Sequence, residues 1–183
     1  MELQDIRKKE LKPVKIEKKV SSAYHEAGHT FYCLKYDIYF DCVTIVKNMK
    51  EKSYGFVDTS KMLTKETDFT ILDRADQKKV FYKMCLAGII SEAKISGVYN
   101  YSGASQDYKN IDDFLIDINF DIQEIWDETF KEISKRSNWK VIKVIAETLL
   151  KKNTLTRQEV GDIYFDITKK RSSNVPPTNE KGL

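Results

Sequence analysis

The sequence predicts a predominantly helical α+β protein with a small β-sheet or hairpin. Two patterns support this: apolar residues recur every three or four positions over several long segments, and two short runs rich in β-branched and aromatic residues lie between them. Of the 183 residues, 41% are hydrophobic and 32% are charged. This balance suits one folded domain and excludes a disordered chain.

The first predicted elements are a helix and a hairpin. Ser21 or Ser22 is placed to cap a helix that continues to about Tyr36. Two short runs follow, "CVTIVKN" at 42–48 and "YGFVDT" at 54–59. Because a polar loop joins them, we expect two paired strands. Whether the second strand takes up a peptide by strand addition or is an internal hairpin strand stays open at this point.

In the middle of the chain, the sequence predicts a loop and then two long helical segments. Residues 60–75 are poorly patterned and fit a loop with one helical turn. Residues 76–96 have helical periodicity, and Gly97 follows as a C-terminal stop. The longest periodic stretch covers residues 108–133, which predicts one uninterrupted helix.

In the C-terminal part of the chain, the sequence predicts a helical bundle. "SN" at 137–138 interrupts the periodicity, and residues 139–149 form a second amphipathic segment. Thr156, followed three residues later by Glu159, has the spacing of a capping box that opens a last helix.

Both ends of the chain are basic. Residues 1–20 hold seven Lys or Arg against four Asp or Glu, and residues 169–183 hold four against one, so the body is left with a net charge of −3. We interpret 1–19 as a basic polar arm, 20–168 as the domain and 169–183 as a disordered tail. Solvated ends are the preferred explanation of this charge, and contact of the basic arm with nucleic acid or acidic lipid is the alternative. Because the body has no basic stripe rich in aromatic residues, no nucleic acid is expected as a partner.

Membrane and secretory features are lacking in the sequence. The longest apolar run, "MCLAGII" at 84–90, is too short to span a bilayer, and no apolar segment of a signal peptide follows the first residues. The cysteines are three, without CxxC spacing (Cys33, Cys42 and Cys85). Because this set suits reduced thiols, we expect a cytoplasmic protein.

The stretch "SSAYHEAGHTFYCL" contains both histidines of the chain. His25 and His29 are four residues apart on the predicted helix, so their side chains project from one face and can reach one ion. Glu26 lies beside them as a candidate general base, which completes the H-E-x-x-H pattern of zinc peptidases. The alternative interpretation is two surface histidines on a helix.

A third metal ligand must come from another part of the chain. No other histidine exists, and the metzincin extension finds Tyr32 and Lys35 where it requires Gly and His. Cys33 is eight residues from His25, a helical rise of about 12 Å, while zinc ligands lie about 2 Å from the metal. The third ligand should therefore be a carboxylate.

Several motifs in order resemble the peptidase domain of the FtsH family, which comprises membrane-anchored, ATP-dependent zinc proteases. They are "KKVSSAYHEAGHT", "VTIV" with "YGFVDT", "LAGIISEAKISG", "SGASQDYKNI" and "AETLLKKNTLTRQEV", which together extend over residues 16–168. The resemblance implies a zincin-like fold in which the H-E-x-x-H helix holds one catalytic Zn²⁺ per chain. The family's membrane anchor and ATPase module have no counterpart in this sequence. Its chamber-lining stretch is also missing if the helix over 108–133 is continuous.

The resemblance also suggests roles for two carboxylates. Asp107 falls on the aspartate of the family's Gly-Ala-Ser-x-Asp motif, its third zinc ligand, and a helix start would keep this carboxylate ionised. The alternative is an ordinary helix-start aspartate. Glu92 matches a family glutamate, and we interpret it as a carboxylate that orients a metal ligand. A buried structural carboxylate and a direct zinc ligand are the other interpretations of Glu92.

The sequence thus predicts a stand-alone zinc metalloendopeptidase that cuts flexible or unfolded protein segments without ATP. His25, His29 and Asp107 would hold the metal, and Glu26 would activate the attacking water. Expected partners are the polypeptide substrate, a separate ATPase or adaptor that delivers it, and further copies in a homo-oligomer. The alternative function is a catalytically silent interaction module stabilised by zinc.

Overall fold

The computed structural model describes residues 10–47, 54–100, 107, 109 and 121–168. The predicted predominantly α-helical α+β fold is confirmed. Residues 1–9 of the predicted arm and the predicted tail at 169–183 lie outside the described residues. The described elements, in chain order, are α1 (Lys18–Lys35), β1 (Cys42–Thr44), β2 (Phe56–Val57), α2 (Arg74–Ser96), α3 (Ile122–Ser134), α4 (Arg136–Lys152), β3 (Thr154–Thr156) and α5 (Arg157–Thr168).

Helix α1 begins before Ser21 and Ser22, so the prediction that one of them caps it is wrong. The preceding residue Glu17 has extended backbone, and the Ser21 N–H donates to its carbonyl at 3.0 Å, as inside a helix. The Ser21 hydroxyl instead donates to Glu92 on α2 at 2.5 Å. The Ser21 hydroxyl, which would have accepted a backbone N–H in a helix cap, therefore makes a hydrogen bond to another helix instead. The C-terminal end agrees with the predicted boundary, because Tyr36 is the C-cap.

The predicted hairpin is confirmed, although both strands are shorter than predicted. Strand β1 pairs antiparallel with β2, where Val43 lies opposite Val57, and on its other side with β3, where Val43 lies opposite Leu155. The sequence does not predict β3, because residues 154–156 have the pattern of a helix start. The strand order β2-β1-β3 places β2 at an edge of the described sheet.

Local side chains define both ends of α2. The Asp73 carboxylate accepts the Asp76 N–H at 2.9 Å, which caps the N-terminus. Gly97 ends the helix in the left-handed region with φ of 72°, so the predicted stop is confirmed. The Val14 N–H donates to the Ser96 carbonyl at 2.7 Å, so the described part of the N-terminal arm is held against this helix end.

The prediction of one uninterrupted helix over residues 108–133 is wrong. Asp121 is not helical (φ −73°, ψ 100°), and its carboxylate accepts the N–H groups of Gln123 at 2.9 Å and Glu124 at 3.2 Å. A local N-cap therefore starts α3 anew, even though the apolar periodicity continues across it. Residues 110–120 lie outside the described part of the chain.

The boundary between α3 and α4 lies at Lys135, so the predicted break at 137–138 is displaced. Lys135 is extended, with ψ of 133°, and α4 begins directly after it. The Asn138 side-chain amide donates to the Glu132 carbonyl at 2.9 Å. The break therefore falls before the "SN" pair because Asn138, inside α4, satisfies a carbonyl at the end of α3.

The predicted capping box at the last helix is confirmed. The Thr156 N–H donates to the Glu159 carboxylate at 2.8 Å, and the Glu159 N–H donates to the Thr156 hydroxyl at 3.3 Å. The next residue, Arg157, is buried and donates to the Asp37 carboxylate at 2.7 Å and to the Ile38 carbonyl at 3.0 Å. These bonds attach the start of α5 to the chain that leaves α1.

Helix α1 is the centre of the core, since residues 23–34 are all buried. It packs against α2 and α4, and a helix enclosed on all sides presents polar side chains only where they have partners. In the described part of the chain, no helix is both long and apolar enough to cross a membrane. The largest fully buried side chains are Trp126, Tyr32, Tyr82, Phe31, Phe40, Phe69, Ile38, Leu86, Ile89, Ile90 and Ile125.

Candidate metal centre

The two histidines of α1 converge on one point. Their Nε2 atoms lie 3.0 Å apart, and the rings meet edge to face at 81° with centroids separated by 4.6 Å. Both residues are buried, with exposed fractions of 9% for His25 and 7% for His29. The spacing of four residues on a helix therefore produces the predicted shared site.

Asp107 completes a group of three. Its Oδ2 lies 3.0 Å from His25 Nε2, and its Oδ1 lies 3.4 Å from His29 Nε2. Among the described residues, His25, His29 and Asp107 are the one such group that could hold a metal ion, with ligand atoms within 4.8 Å of one another. The backbone at Asp107 is helical, as the sequence predicts. Two imidazoles and one carboxylate are a common ligand set of zinc.

The outer nitrogen of each imidazole has its own acceptor. His25 Nδ1 donates to Glu92 Oε2 at 3.2 Å, and His29 Nδ1 donates to the Met84 carbonyl at 2.8 Å. An N–H at Nδ1 leaves the lone pair of the neutral ring on Nε2, which faces Asp107 and the other histidine. The surroundings therefore orient both rings so that their Nε2 lone pairs face the same point.

Glu92 lies behind His25 and outside the group of three. Its Oε1 accepts the Ser21 hydroxyl at 2.5 Å and the Asn100 amide at 3.0 Å, while Oε2 accepts from His25. Burial would raise the pKa of Glu92, but these three hydrogen bonds lower it. The carboxylate is thus held ionised, in the position predicted for a group that orients a ligand.

Ser21 and Asn100 are residues that the sequence analysis missed. Ser21 had the position of a helix cap, and Asn100 stood in a turn-rich stretch with no pattern of its own. The helical spacing from Ser21 to His25 is four residues, so both face α2 from one side of α1. That spacing is the one signal in the sequence that could have indicated Ser21.

Gly88 of α2 lies directly against the two histidines. A Cβ at this position would be 2.4 Å from His29 Nε2 and 3.0 Å from His25 Nε2. Separations under 3.0 Å essentially never occur for real Cβ atoms. The absence of a side chain at residue 88 therefore keeps open the space in which the two Nε2 atoms meet.

Glu26 lies between the two histidines in the chain and is not part of the ligand group. It is 6% exposed, and burial raises the pKa of its carboxyl group, against the opposing effect of the two histidines. A buried carboxyl group with a raised pKa beside two histidines suits a group that accepts and returns a proton.

The three grouped residues shift one another's pKa values. Burial would raise the pKa of Asp107, but His29 and His25 lower it well below its ordinary value. Burial would lower the pKa of each imidazole, but the surrounding carboxylates together raise it, with Asp107 the largest contributor, Glu26 acting on both and Glu92 on His25. A cation bound among these atoms would compete with the protons of the two imidazoles.

The thiols near the site are not additional ligands. Cys33 is buried and its Sγ lies 3.5 Å from the Met84 sulfur, as expected for a core thiol. Burial raises the pKa of Cys33 to about 12 and that of Cys85 well above its ordinary value. Neither thiol belongs to the group of described residues that could hold a metal ion.

Comparison with known proteins assigns no family to the chain: no family model matches it, and a search of curated proteins finds no match. The resemblance to the FtsH peptidase domain therefore stays a prediction that rests on the order of the motifs.

Proposed function

We propose that the protein is a zinc-dependent metalloendopeptidase of the FtsH type. One observation carries this proposal: His25, His29 and Asp107 form a three-ligand group, and the Glu26 carboxylate stands beside it without being part of it. Structural zinc sites have four protein ligands, whereas catalytic sites have three and an open position. A purely structural ion would also need no buried carboxylate as its neighbour.

In the proposed reaction each residue has a distinct task. A bound zinc ion would supply Lewis acidity, which makes water acidic and polarises the scissile carbonyl. Glu26 takes a proton from the attacking water and returns it to the leaving amine nitrogen. His25, His29 and Asp107 supply the ligand atoms, and Glu92 with the Met84 carbonyl fixes the two rings.

The sheet supports a polypeptide as the proposed substrate. Strand β2 lies at an edge of the described sheet, and its neighbour Gly55 is next to Glu26. Phe56 and Tyr54 are exposed there, at 42% and 36%. An extended, flexible peptide could add to this edge and place its backbone beside the site. The proposed substrates are therefore unfolded or flexible segments, which a separate ATPase or adaptor could deliver.

The test combines metal content with cleavage. We expect about one zinc per chain by mass spectrometry and ATP-independent cleavage of an unfolded protein such as casein. The Glu26→Gln variant should bind zinc like the parent and lose cleavage by at least ~100-fold, because it can no longer take up the proton. Zinc binding without cleavage in the parent would favour the silent, zinc-stabilised interaction module instead.

A further inference from the structure

Gly55, the residue that precedes β2, lies in contact with the proposed base. An ideal Cβ at this position would be 2.8 Å from both the Cγ and the Oε1 atoms of Glu26 and 2.8 Å from the Thr44 carbonyl oxygen. All three separations are shorter than real Cβ atoms show. The backbone at residue 55 does not need glycine for its conformation, since Gly97 has the one positive φ among the described glycines. Space is therefore the reason for glycine here.

Of the two neighbours that a Cβ at residue 55 would meet, the Glu26 side chain can move more easily than the Thr44 backbone carbonyl. Glu26 lies on α1 between His25 and His29, so a shift of its backbone would also move both proposed ligands. Thr44 belongs to β1, which is paired on both sides by β2 and β3. Its hydroxyl is also hydrogen-bonded to the Asn153 carbonyl at 3.2 Å. The side chain of Glu26 is therefore the most easily displaced of these groups.

We propose that Gly55 is a positioning residue for Glu26: its missing side chain gives the carboxylate the place from which it acts on water. This inference rests on the proposed peptidase function. A methyl group at residue 55 would displace the carboxylate and press on the Thr44 carbonyl, whereas its nearest contacts include no atom of His25, His29 or Asp107. Displacing a reacting group by about 1 Å costs on the order of 100-fold in rate.

The experiment compares Gly55→Ala with the parent in zinc affinity, kcat and KM for a fluorogenic peptide. We expect kcat to fall by roughly 100-fold, while the zinc dissociation constant and KM stay within about threefold of the parent. A merely structural role would weaken zinc binding together with kcat. Equal losses in both quantities, or an unchanged kcat, would overturn the proposal.

A double-mutant cycle on unfolding free energy tests the contact without using activity. Gly55→Ala should destabilise the parent more than it destabilises the Glu26→Ala variant, because the second background has lost the clashing side chain. Glu147→Ala, at an exposed glutamate on α4, serves as the matched background and should show additivity. Additivity with Glu26→Ala as well would count against the proposal.

Two further outcomes separate this inference from the proposed function. If Gly55→Ala fails to fold, folding of the Gly55→Ala, Glu26→Ala double variant supports the contact, and its failure assigns the clash to the Thr44 carbonyl and overturns the proposal. A zinc-loaded parent that cleaves nothing overturns the peptidase function and this inference together. An active parent with an unaffected Gly55→Ala variant overturns this inference alone.

Discussion

At the scale of single residues, the proposed site has one inner group of three and a set of supports around it. His25, His29 and Asp107 have converging ligand atoms, whereas Glu92 reaches only the far side of one imidazole. Removing a ligand and removing a support should therefore have effects of very different size. The two carboxylates provide the comparison.

We expect Asp107→Ala to lower zinc affinity by orders of magnitude and to abolish cleavage, because two histidines alone hold zinc weakly. Glu92→Ala should lower affinity or activity by roughly 10- to 100-fold and still bind zinc at saturating metal. Zinc titration of both variants, with folding checked by circular dichroism, measures the difference. The reverse order of the two losses would show that Glu92 is the ligand.

Removing the side chains that donate hydrogen bonds to Glu92 should have smaller effects still. Ser21→Ala and Asn100→Ala each remove one hydrogen bond to Oε1, a net loss that corresponds to about 2- to 10-fold in affinity. Competition with a chromogenic zinc chelator would measure it. Ser60→Ala, at an exposed serine bonded to Asp58, is the control and should match the parent. If the Ser21 and Asn100 variants also match the parent, these bonds do not support the metal site.

The residues that the sequence could indicate are those whose relation is local. His25, Glu26 and His29 share one helix, so their spacing alone predicts a common face. Asp107 is 82 positions from His25, and the residues alone require only some carboxylate. The resemblance to the FtsH family indicates Asp107 in particular. Long-range packing determines the contacts of Ser21 with Glu92 and of Gly55 with Glu26. The periodicity of the sequence does not indicate these contacts.

At the scale of secondary-structure elements, capping side chains decide where helices begin. The apolar rhythm over residues 108–133 predicts one helix, but Asp121 starts a new one with two side-chain bonds. Gly97 and the Thr156–Glu159 box were predictable because each acts within a few residues of the boundary it sets. The start of α1 was not, because its serine hydroxyl is used across the core.

The capping box of α5 gives a prediction about pH. Hydrogen bonds from Lys152 and from the Thr156 backbone lower the pKa of Glu159 below its ordinary value of 4.5. A lowered carboxyl pKa contributes stability that is present above 4.5 and is lost as pH falls through the folded-state value. Glu159→Gln should therefore be less stable than the parent at pH 7 by up to about 1 kcal/mol.

This difference between Glu159→Gln and the parent should shrink as pH falls below 4.5. Urea unfolding of both proteins between pH 7 and pH 3 measures it. A difference that stays constant over that range would show that the charge of Glu159 contributes nothing to the helix start.

At the scale of the whole molecule, the proposed metal ligands connect distant parts of one core. Helix α1 is buried over residues 23–34 and carries two of the proposed ligands, while Asp107 and the supporting Glu92 come from later in the chain. The sequence predicts the helices and the hairpin. It does not predict that β3 pairs with β1 as a third strand, or that Arg157 attaches α5 to the end of α1. Those arrangements depend on packing between segments more than 100 residues apart.

Because the ligands come together only in the folded chain, zinc should stabilise the whole domain. A ligand that binds only the folded state at 100 times its dissociation constant adds about 2.7 kcal/mol, which corresponds to roughly 5–10 °C in Tm for a chain of this size. Thermal unfolding with excess zinc, compared with a chelator, measures this gap. Asp107→Ala should remove most of it.

The gap in Tm between zinc-loaded and metal-free protein should widen as pH rises from 6 to 8. In the metal-free protein, the pKa values of His25 and His29 lie above the ordinary 6.5, since burial is outweighed by the nearby carboxylates together, Asp107 foremost. Their ion pairing with Asp107 thus stabilises the metal-free fold fully below pH 6.5, and this contribution is lost as pH rises through the folded-state pKa values. Zinc requires the neutral imidazoles, so its stabilisation grows over the same range. A gap that is constant with pH, or that narrows, would show that the metal does not bind at these two histidines.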